Sequence, residues 1–375
     1  MANNLSRIPA TNGNKLDLLI DGQTTFRAIF AAIDQAKESV WVQFFIIHDD
    51  SLGRELADRL IAAARRGVEC RVLFDQVGSK ALPKSWSTRL RAEGIHVERF
   101  TTNRQFGRRF QINFRNHRKL VIVDALVAFL GGLNVGDEYM GRSKRFGPWR
   151  DTHIRVEGPS VAGFQLSFLE DWNYITGEVP PFRLPKPTVH PAPSPIVFPV
   201  ASGPAEDWSI CPAVYLSVIN SATRRLWIAS PYFVPGSPLF FAICHAAIRG
   251  VDVRIILPQM ADHLLPWLSS FTYYPKLREA GVKIWRYQPG FMHQKVLLAD
   301  DDISIVGSIN VDYRSFMLNF ELSAAIQDQK FADQIEAMFL ADFDRSTPEN
   351  LRKFEDGSFF FRLQCRSAAL MSPEQ

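Results

Sequence analysis

Several segments in the first half of this 375-residue chain recur in the same order in the second half, and this duplication restricts the fold more than any other feature. Val40-Trp41-Val42 followed by Phe44-Phe45-Ile46 is answered by Leu226-Trp227-Ile228 followed by Tyr232-Phe233, both reading as buried strands. R-G-V-E-C-R-V-L-F at 66–74 returns as R-G-V-D-V-R-I-I-L at 249–257, each a helix end with a glycine stop running into a β-rich strand. L-R-A-E-G-I-H-V at 90–97 returns as L-R-E-A-G-V-K-I at 277–284. Alternating helices and strands predict an α/β fold, and the duplication predicts two similar halves packed about a pseudo-two-fold axis, which brings equivalent points together at its centre.

Residues 180–204 carry nine prolines and no periodicity. They read as an extended, stiff connector between a first half at 1–179 and a second at 205–375. Apolar spacing over 160–172 predicts one more amphipathic helix closing the first half, its Phe and Leu stripe facing the core. No stretch approaches the roughly 18 to 20 apolar residues that span a bilayer, and the first residues lack the layout of a signal peptide. Cys70, Cys211, Cys244 and Cys365 lie far apart in the chain with no C-x-x-C spacing, the pattern of reduced thiols.

Two stretches inside the repeat carry the chemistry. H-R-K-L-V-I-V-D at 117–124 with G-G-L-N at 131–134 is matched by H-Q-K-V-L-L-A-D at 293–300 with G-S-I-N at 307–310, and in both copies the Asn follows the His by seventeen residues. A single H-x-K-x-x-x-x-D arises by chance in about one or two per cent of chains of this size. Two copies at matching places in a repeat are not coincidence. On an extended strand His117 and Lys119 point to one face, as do His293 and Lys295, so each motif delivers an imidazole and an ammonium together. With Asn134 and Asn310, one shared site would hold a nucleophile, a proton shuttle and a cage of donors for phosphate oxygens. Asp124 and Asp300 complete the catalytic motifs, but their odd spacing from the lysines and their place at the strand ends favour a structural role. Clustered carboxylates, or histidines at helical i, i+4 spacing, do not accompany these histidines, so no metal and no cofactor is expected, lysine supplying the positive charge.

The paired motifs resemble the phospholipase D superfamily, and in detail the bacterial cardiolipin synthases. F-R-N-H-R-K-L-V-I-V-D, G-G-L-N-V-G-D-E-Y, W-R-D-T-H-I-R-V-E-G-P, Y-F-V-P, Y-Q-P-G-F-M-H-Q-K-V-L-L-A-D and G-S-I-N-V-D-Y-R-S-F-M-L-N-F-E carry the likeness, from about residue 15 to about residue 350. The resemblance implies two pseudo-symmetric phospholipase D-like α/β/α domains, mixed sheets flanked by helices, with one active site at their interface. It implies His117 as nucleophile, forming a phosphohistidine, and His293 as acid and then base; the residues alone do not choose between them. It further implies Asp151 as the carboxylate orienting His117 and Glu321 as that orienting His293, with Lys119, Lys295, Asn134, Asn310 and Ser308 on the phosphate oxygens. His153 reads as a neighbour shaping the site. Many such synthases begin with two membrane helices that have no counterpart here, so a peripheral seat on the bacterial inner membrane is expected.

Net charge is only +4, but residues 101–150 hold ten Lys/Arg against Asp124, Asp137 and Glu138. Such a field suits an anionic partner. It is interleaved with Phe106, Phe110, Phe114 and Phe146, and two apolar stretches, 264–274 and 359–363, fall at expected surface positions. Cations mixed with aromatic rings suit the head-group layer of an anionic membrane and would equally stack bases. The resemblance decides for lipid. It implies phosphatidyl transfer between two phosphatidylglycerol molecules to give cardiolipin and glycerol, with a hydrolytic phospholipase D or a nuclease as the alternatives. Phosphatidylglycerol and cardiolipin membranes are the expected partners, nucleic acid is not, and the sequence implies no protein partner.

Overall fold

A computed structural model describes residues 8–101, 114–184, 190–191, 193–204 and 210–371. It is a mixed α/β architecture with one large sheet per half. The first sheet runs, in spatial order, Lys15–Ile20, Thr152–Glu157, Val127–Gly131, Leu120–Val123, Ser39–Phe44, Glu69–Asp75 and His96–Phe100. The second runs Ile196–Ser202, Glu321–Gln327, Ile303–Gly307, Val296–Ala299, Arg225–Ala229, Asp252–Pro258, Lys283–Tyr287 and Ser346–Pro348. Strand by strand the first seven correspond, so the repeat seen in the sequence is a repeat of topology.

The recurring R-G-V segments do what their glycines require. Helix Ser51–Arg65 starts on Asp50, whose carboxylate accepts the Gly53 N–H at 3.1 Å, and stops at Gly67, which adopts a φ of +87° that other residues rarely take. Gly250 repeats the stop at +94° after helix Ser237–Ile248. In both halves the next strand pairs parallel with the strand before the helix, so each helix is the crossover of a β-α-β unit.

One correction concerns the connector. Residues 196–202, inside the proline-rich segment, form a strand antiparallel to Glu321–Gln327. This strand lies at the sheet edge, where Pro199, which has no N–H to give, is tolerated. It is the repeat equivalent of Lys15–Ile20. The extended connector is therefore shorter than 180–204, and the second half begins in space at Ile196.

Helix Val161–Thr176 forms over the expected segment, and Phe164, Phe168 and Leu169 are buried. With its counterpart Gln329–Asp344 it lies in one apolar cluster that joins both sheets, while the other helices cover the outer faces. The four cysteines are buried and form no disulfide. Among the described residues no helix is long and apolar enough to cross a membrane.

Candidate active site

The two halves are stitched together at the motifs by symmetric backbone bonds. The His117 N–H donates to Phe320 O at 2.8 Å and the His293 N–H to Arg150 O at 2.8 Å. Phe320 and Arg150 immediately precede Glu321 and Asp151, the two acidic residues singled out above. Each motif backbone is thus clamped to the carboxylate-bearing segment of the other half.

The carboxylates follow that clamp, and they correct the expected pairing. His117 Nδ1 faces Glu321 Oε1 at 3.2 Å, and His293 Nδ1 faces Asp151 Oδ2 at 2.9 Å. Each histidine takes its acid from across the pseudo-two-fold, because the bonds that fix each motif run between halves. An Nδ1–H donated to a carboxylate leaves Nε2 without a proton, which is the tautomer a nucleophile needs. Both acids are fully buried. Burial pushes the Asp151 carboxyl up, but Lys295 and His293 outweigh it and hold it below the usual range. Glu321 shows the same balance, burial being overcome by His117, Lys119 and the Ser308 hydroxyl.

His117 and Lys119 precede strand Leu120–Val123, and His293 and Lys295 precede strand Val296–Ala299, in extended backbone that keeps the alternation expected of a strand. The intervening residues show it. Arg118 and Gln294 point inward, where Asp171 Oδ2 accepts from Arg118 at 3.0 Å and Asp342 Oδ2 accepts from Gln294 at 2.8 Å. These acids occupy the two central helices and anchor the motifs from behind. They were not singled out in the sequence, although the even spacing of His and Lys implies that the residue between faces the core.

Burial drives His293 down to about 4, with Lys295 acting in the same direction, and burial also lowers His117. Both imidazoles are therefore neutral at neutral pH. Burial also draws Lys119 down to about 8 and Lys295 to about 7, and each lysine is held by both Asp151 and Glu321. That shared influence puts the two lysines and two acids in a single site. A phosphate between them restores full positive charge to the lysines, so the site is poised to bind an anion.

Ser308 Oγ donates to Glu321 Oε2 at 2.5 Å. Its counterpart must be Gly132, because a Cβ there would meet Asp151 Oδ1 at 2.1 Å. Ser308 therefore acts on the carboxylate in this state. Asn134 Oδ1 accepts the Ile46 N–H at 3.1 Å, which fixes the amide, and Asn310 is buried with its Oδ1 unpaired among the described residues. Three further groups join the site that sequence reasoning missed. Asn319 Nδ2 lies 3.2 Å from His117 Nδ1 and 3.1 Å from Glu321 Oε1; Phe45 packs its ring 4.0 Å from the His117 ring, and Trp149 lies 5.3 Å from that of His293. Asn319 sits in the quoted N-F-E segment, two residues before Glu321, a spacing that could have revealed it. His153 is a buried neighbour whose Nδ1 accepts the Leu133 N–H at 3.4 Å.

Asp124 and Asp300 are not brought to the site. Asp124 accepts the N–H groups of Lys37, Glu38 and Ser39, and Asp300 those of Thr223, Arg224 and Arg225. Each takes positive φ to tie the far end of its motif strand to the start of the neighbouring one. Their place in the catalytic set is corrected to a structural one.

The basic field is also partly internal. Arg150 forms a buried ion pair with Asp342 at 2.8 Å and Arg118 one with Asp171, whereas Arg142, Lys144 and Arg145 are exposed. Arg104, Phe106, Arg108, Arg109 and Phe110 lie outside the described residues. Phe114 and Phe146 pack against the core, Phe146 at 5.5 Å from the Trp149 ring.

The family model described as "Cardiolipin synthase, PLD-like domain" matches residues 29–145 and 215–343, one match per half. The chain belongs to this cardiolipin synthase family of phospholipase D-like proteins. Cardiolipin synthase A of Pseudomonas putida strain GB-1 is 48% identical over 98% of this chain and 77% of its own length, and that of Pseudomonas entomophila strain L48 is likewise 48% identical over the same shares. Among solved structures, phosphatidylserine synthase of Haemophilus influenzae superposes over 100% of this chain and 98% of its own, with a TM-score of 0.77 at 14% identity. Polyphosphate kinase of Porphyromonas gingivalis covers 90% of this chain and 48% of its own at a TM-score of 0.61 and 11% identity. At those identities the structural likeness speaks for the fold. Both matched segments of the phospholipase D-like family carry a complete H-x-K-x-x-x-x-D motif here, which is what a site shared between halves requires.

Proposed function

We propose that this protein is a cardiolipin synthase. One phosphatidylglycerol gives its phosphatidyl group to His117 and releases glycerol; the hydroxyl of a second phosphatidylglycerol then takes the group, forming cardiolipin. The observation that carries this reading is the crossed pair of histidine–carboxylate units around two buried lysines, in a chain nearly half identical to proteins named cardiolipin synthase A. In the first step His117 Nε2 attacks phosphorus while His293, which takes up a proton at Nε2 once the anionic phosphate lies beside it, gives that proton to the departing glycerol oxygen. In the second, His293 takes the proton of the incoming hydroxyl as the P–N bond breaks. Lys119, Lys295, Asn134 and Asn310 carry the charge of the non-bridging oxygens, and Ser308 serves them through Glu321.

Membrane phospholipid as substrate implies a seat on the membrane surface. We assign this to the bacterial inner membrane, held peripherally. Of the apolar stretches noted above, Trp267, Leu268 and Phe271 turn inward, but Leu264 and Leu265 stand exposed. Phe359, Phe360 and Leu363 project from helix Phe359–Leu370, which packs on the same Leu264–Ser270 helix. The five form an apolar ridge of the kind that enters the head-group layer.

Product analysis with labelled phosphatidylglycerol vesicles tests the assignment. Cardiolipin is expected to exceed phosphatidic acid, added glycerol to drive cardiolipin back to phosphatidylglycerol, and EDTA to leave turnover of a soluble short-chain donor intact. Phosphatidic acid as sole product would make the protein a phospholipase, and DNA cleavage without lipid turnover a nuclease.

The lysines predict the pH profile. Their ammonium forms bind the phosphate, and in the free protein those protons are lost as pH rises through about 7 for Lys295 and about 8 for Lys119. The kcat/KM for phosphatidylglycerol is therefore expected to fall across that interval, while kcat, which reports the complex in which phosphate holds the protons on, falls only at higher pH. Coincident kcat and kcat/KM profiles in this range would remove the lysines from anion binding.

A further inference from the structure

We propose a second phosphate-binding site, a cleft behind the His117 wall of the active site, that takes the phosphate of an anionic phospholipid other than the one being cleaved. The cleft has a volume of about 360 Å³ and lies where the chain leaves strand Glu69–Asp75, between the first turn of helix Lys84–Ala92 and the end of strand His96–Phe100. Lys80, Lys84, Arg91 and Arg99 line it, with hydroxyls of Ser87 and Thr88, and no Asp or Glu does. Among the described residues none of these four cations has a carboxylate within ion-pair distance. Nearby cations do: Arg89 pairs with Asp58, and Arg65 with Glu93 at 2.5 Å. Four uncompensated cations around one concavity repel one another, an arrangement favoured only when an anion enters. The helix adds to it, since Pro83 gives no side-chain cap and the amides of its first turn face the same end.

The cleft is joined to the catalytic machinery by its own walls. Ser79, in its lining, accepts the Ile47 N–H at 3.0 Å and donates to Phe45 O at 3.0 Å, and the Phe45 ring packs on His117. Asp75, one residue after the lining residue Phe74, accepts the N–H of Asn116 at 3.0 Å, next to His117. Equivalent elements of the second half, after strand Asp252–Pro258, begin with Leu264 and Leu265 of the exposed ridge. The place that is lined by cations in the first half is thus apolar in the second. Phosphate chemistry is the shared requirement, and lipid head groups and free phosphate esters both meet it.

The lipid reading above enters only through the choice of membrane probe. The test compares Lys80→Gln/Lys84→Gln/Arg99→Gln with a control of equal charge change elsewhere, Lys15→Gln/Lys37→Gln/Lys330→Gln; Arg91 is spared because its guanidinium also bonds Val97 O. Binding is measured to phosphatidylcholine vesicles containing about 30% phosphatidylglycerol, where three head-group contacts are worth roughly 100-fold in affinity, and to glycerol 3-phosphate by calorimetry. A roughly 100-fold loss on vesicles for the cleft variant, against less than about fivefold for the control, supports the site. Loss of glycerol 3-phosphate binding as well shows that free esters also occupy it, and its retention assigns the cleft to head groups at a surface. Turnover of a soluble short-chain donor is expected to stay within about twofold of wild type, since no altered residue reaches the reacting phosphorus. Equal losses in both variants, or none in the cleft variant, overturn the proposal. A wild-type protein that binds vesicles at the cleft but turns over no lipid would sink the functional reading and leave the site standing.

Discussion

His117→Ala is expected to abolish turnover and covalent labelling together, whereas His293→Ala abolishes turnover of phosphatidylglycerol but still takes label from a donor whose leaving group needs no proton. Units of this kind are grossly non-additive, and loss of either imidazole should lower kcat by about 10⁴-fold or more. What separates the two is the leaving group. With phosphatidylglycerol, departure of glycerol needs the proton that His293 supplies, so both variants are inert. A donor ester of nitrophenol needs no such proton, because its leaving oxygen is a weak base. His293→Ala should then release one nitrophenol per protein and stall, since nothing deprotonates the incoming hydroxyl; His117→Ala should release none. Glu321, which holds His117, is itself held by Ser308 and Asn319, and this favours His117 as the fixed nucleophile. Acid-labile label should map to a peptide containing residue 117. A burst from His117→Ala with none from His293→Ala would reverse the assignment.

The second large effect follows from the crossed carboxylates. Asp151→Asn should reproduce the defect of His293→Ala, and Glu321→Gln that of His117→Ala, although Asp151 lies nearer in sequence to His117 and Glu321 nearer to His293. An amide in place of either carboxylate can present its NH₂ to Nδ1, selecting the tautomer in which Nε2 carries the proton and cannot attack or accept. Comparable changes in other histidine–carboxylate sites lower kcat by about 10⁴-fold. In the nitrophenol assay, Asp151→Asn is therefore expected to give a burst and stall, and Glu321→Gln no burst. Double variants within a crossed pair should be little worse than single ones, because both changes disable one unit. Should Asp151→Asn suppress the burst while Glu321→Gln preserves it, the carboxylates act within their own halves during catalysis and the crossed geometry is not the working one.

Much of this was legible in the sequence because it depends on local spacing. The repeat exposed the two equivalent sheets, the glycines at 67 and 250 marked the helix ends, and the even spacing of His and Lys placed both on one side of extended backbone. The odd spacing of Asp124 and Asp300 correctly set them apart from the lysines. The strand Ile196–Ser202 escaped notice because proline usually argues against a strand, and only its position at a sheet edge makes Pro199 harmless. The basic stretch misled in part for a related reason: a count of charges cannot tell that Arg118 and Arg150 are spent on Asp171 and Asp342 inside the molecule.

By itself, then, the sequence determined a duplicated α/β chain carrying two copies of one reactive motif, since duplication, strand alternation and motif spacing are properties of order along the chain. It also contained both acids. Tertiary structure alone decided which acid serves which histidine. The partners lie 142 and about 200 residues apart, and no local rule reaches so far; the choice is made by backbone bonds that clamp each motif to the opposite half. It decided equally that the lysines are buried enough to be only partly charged without an anion, because desolvation depends on what packs around a group and not on its neighbours in sequence.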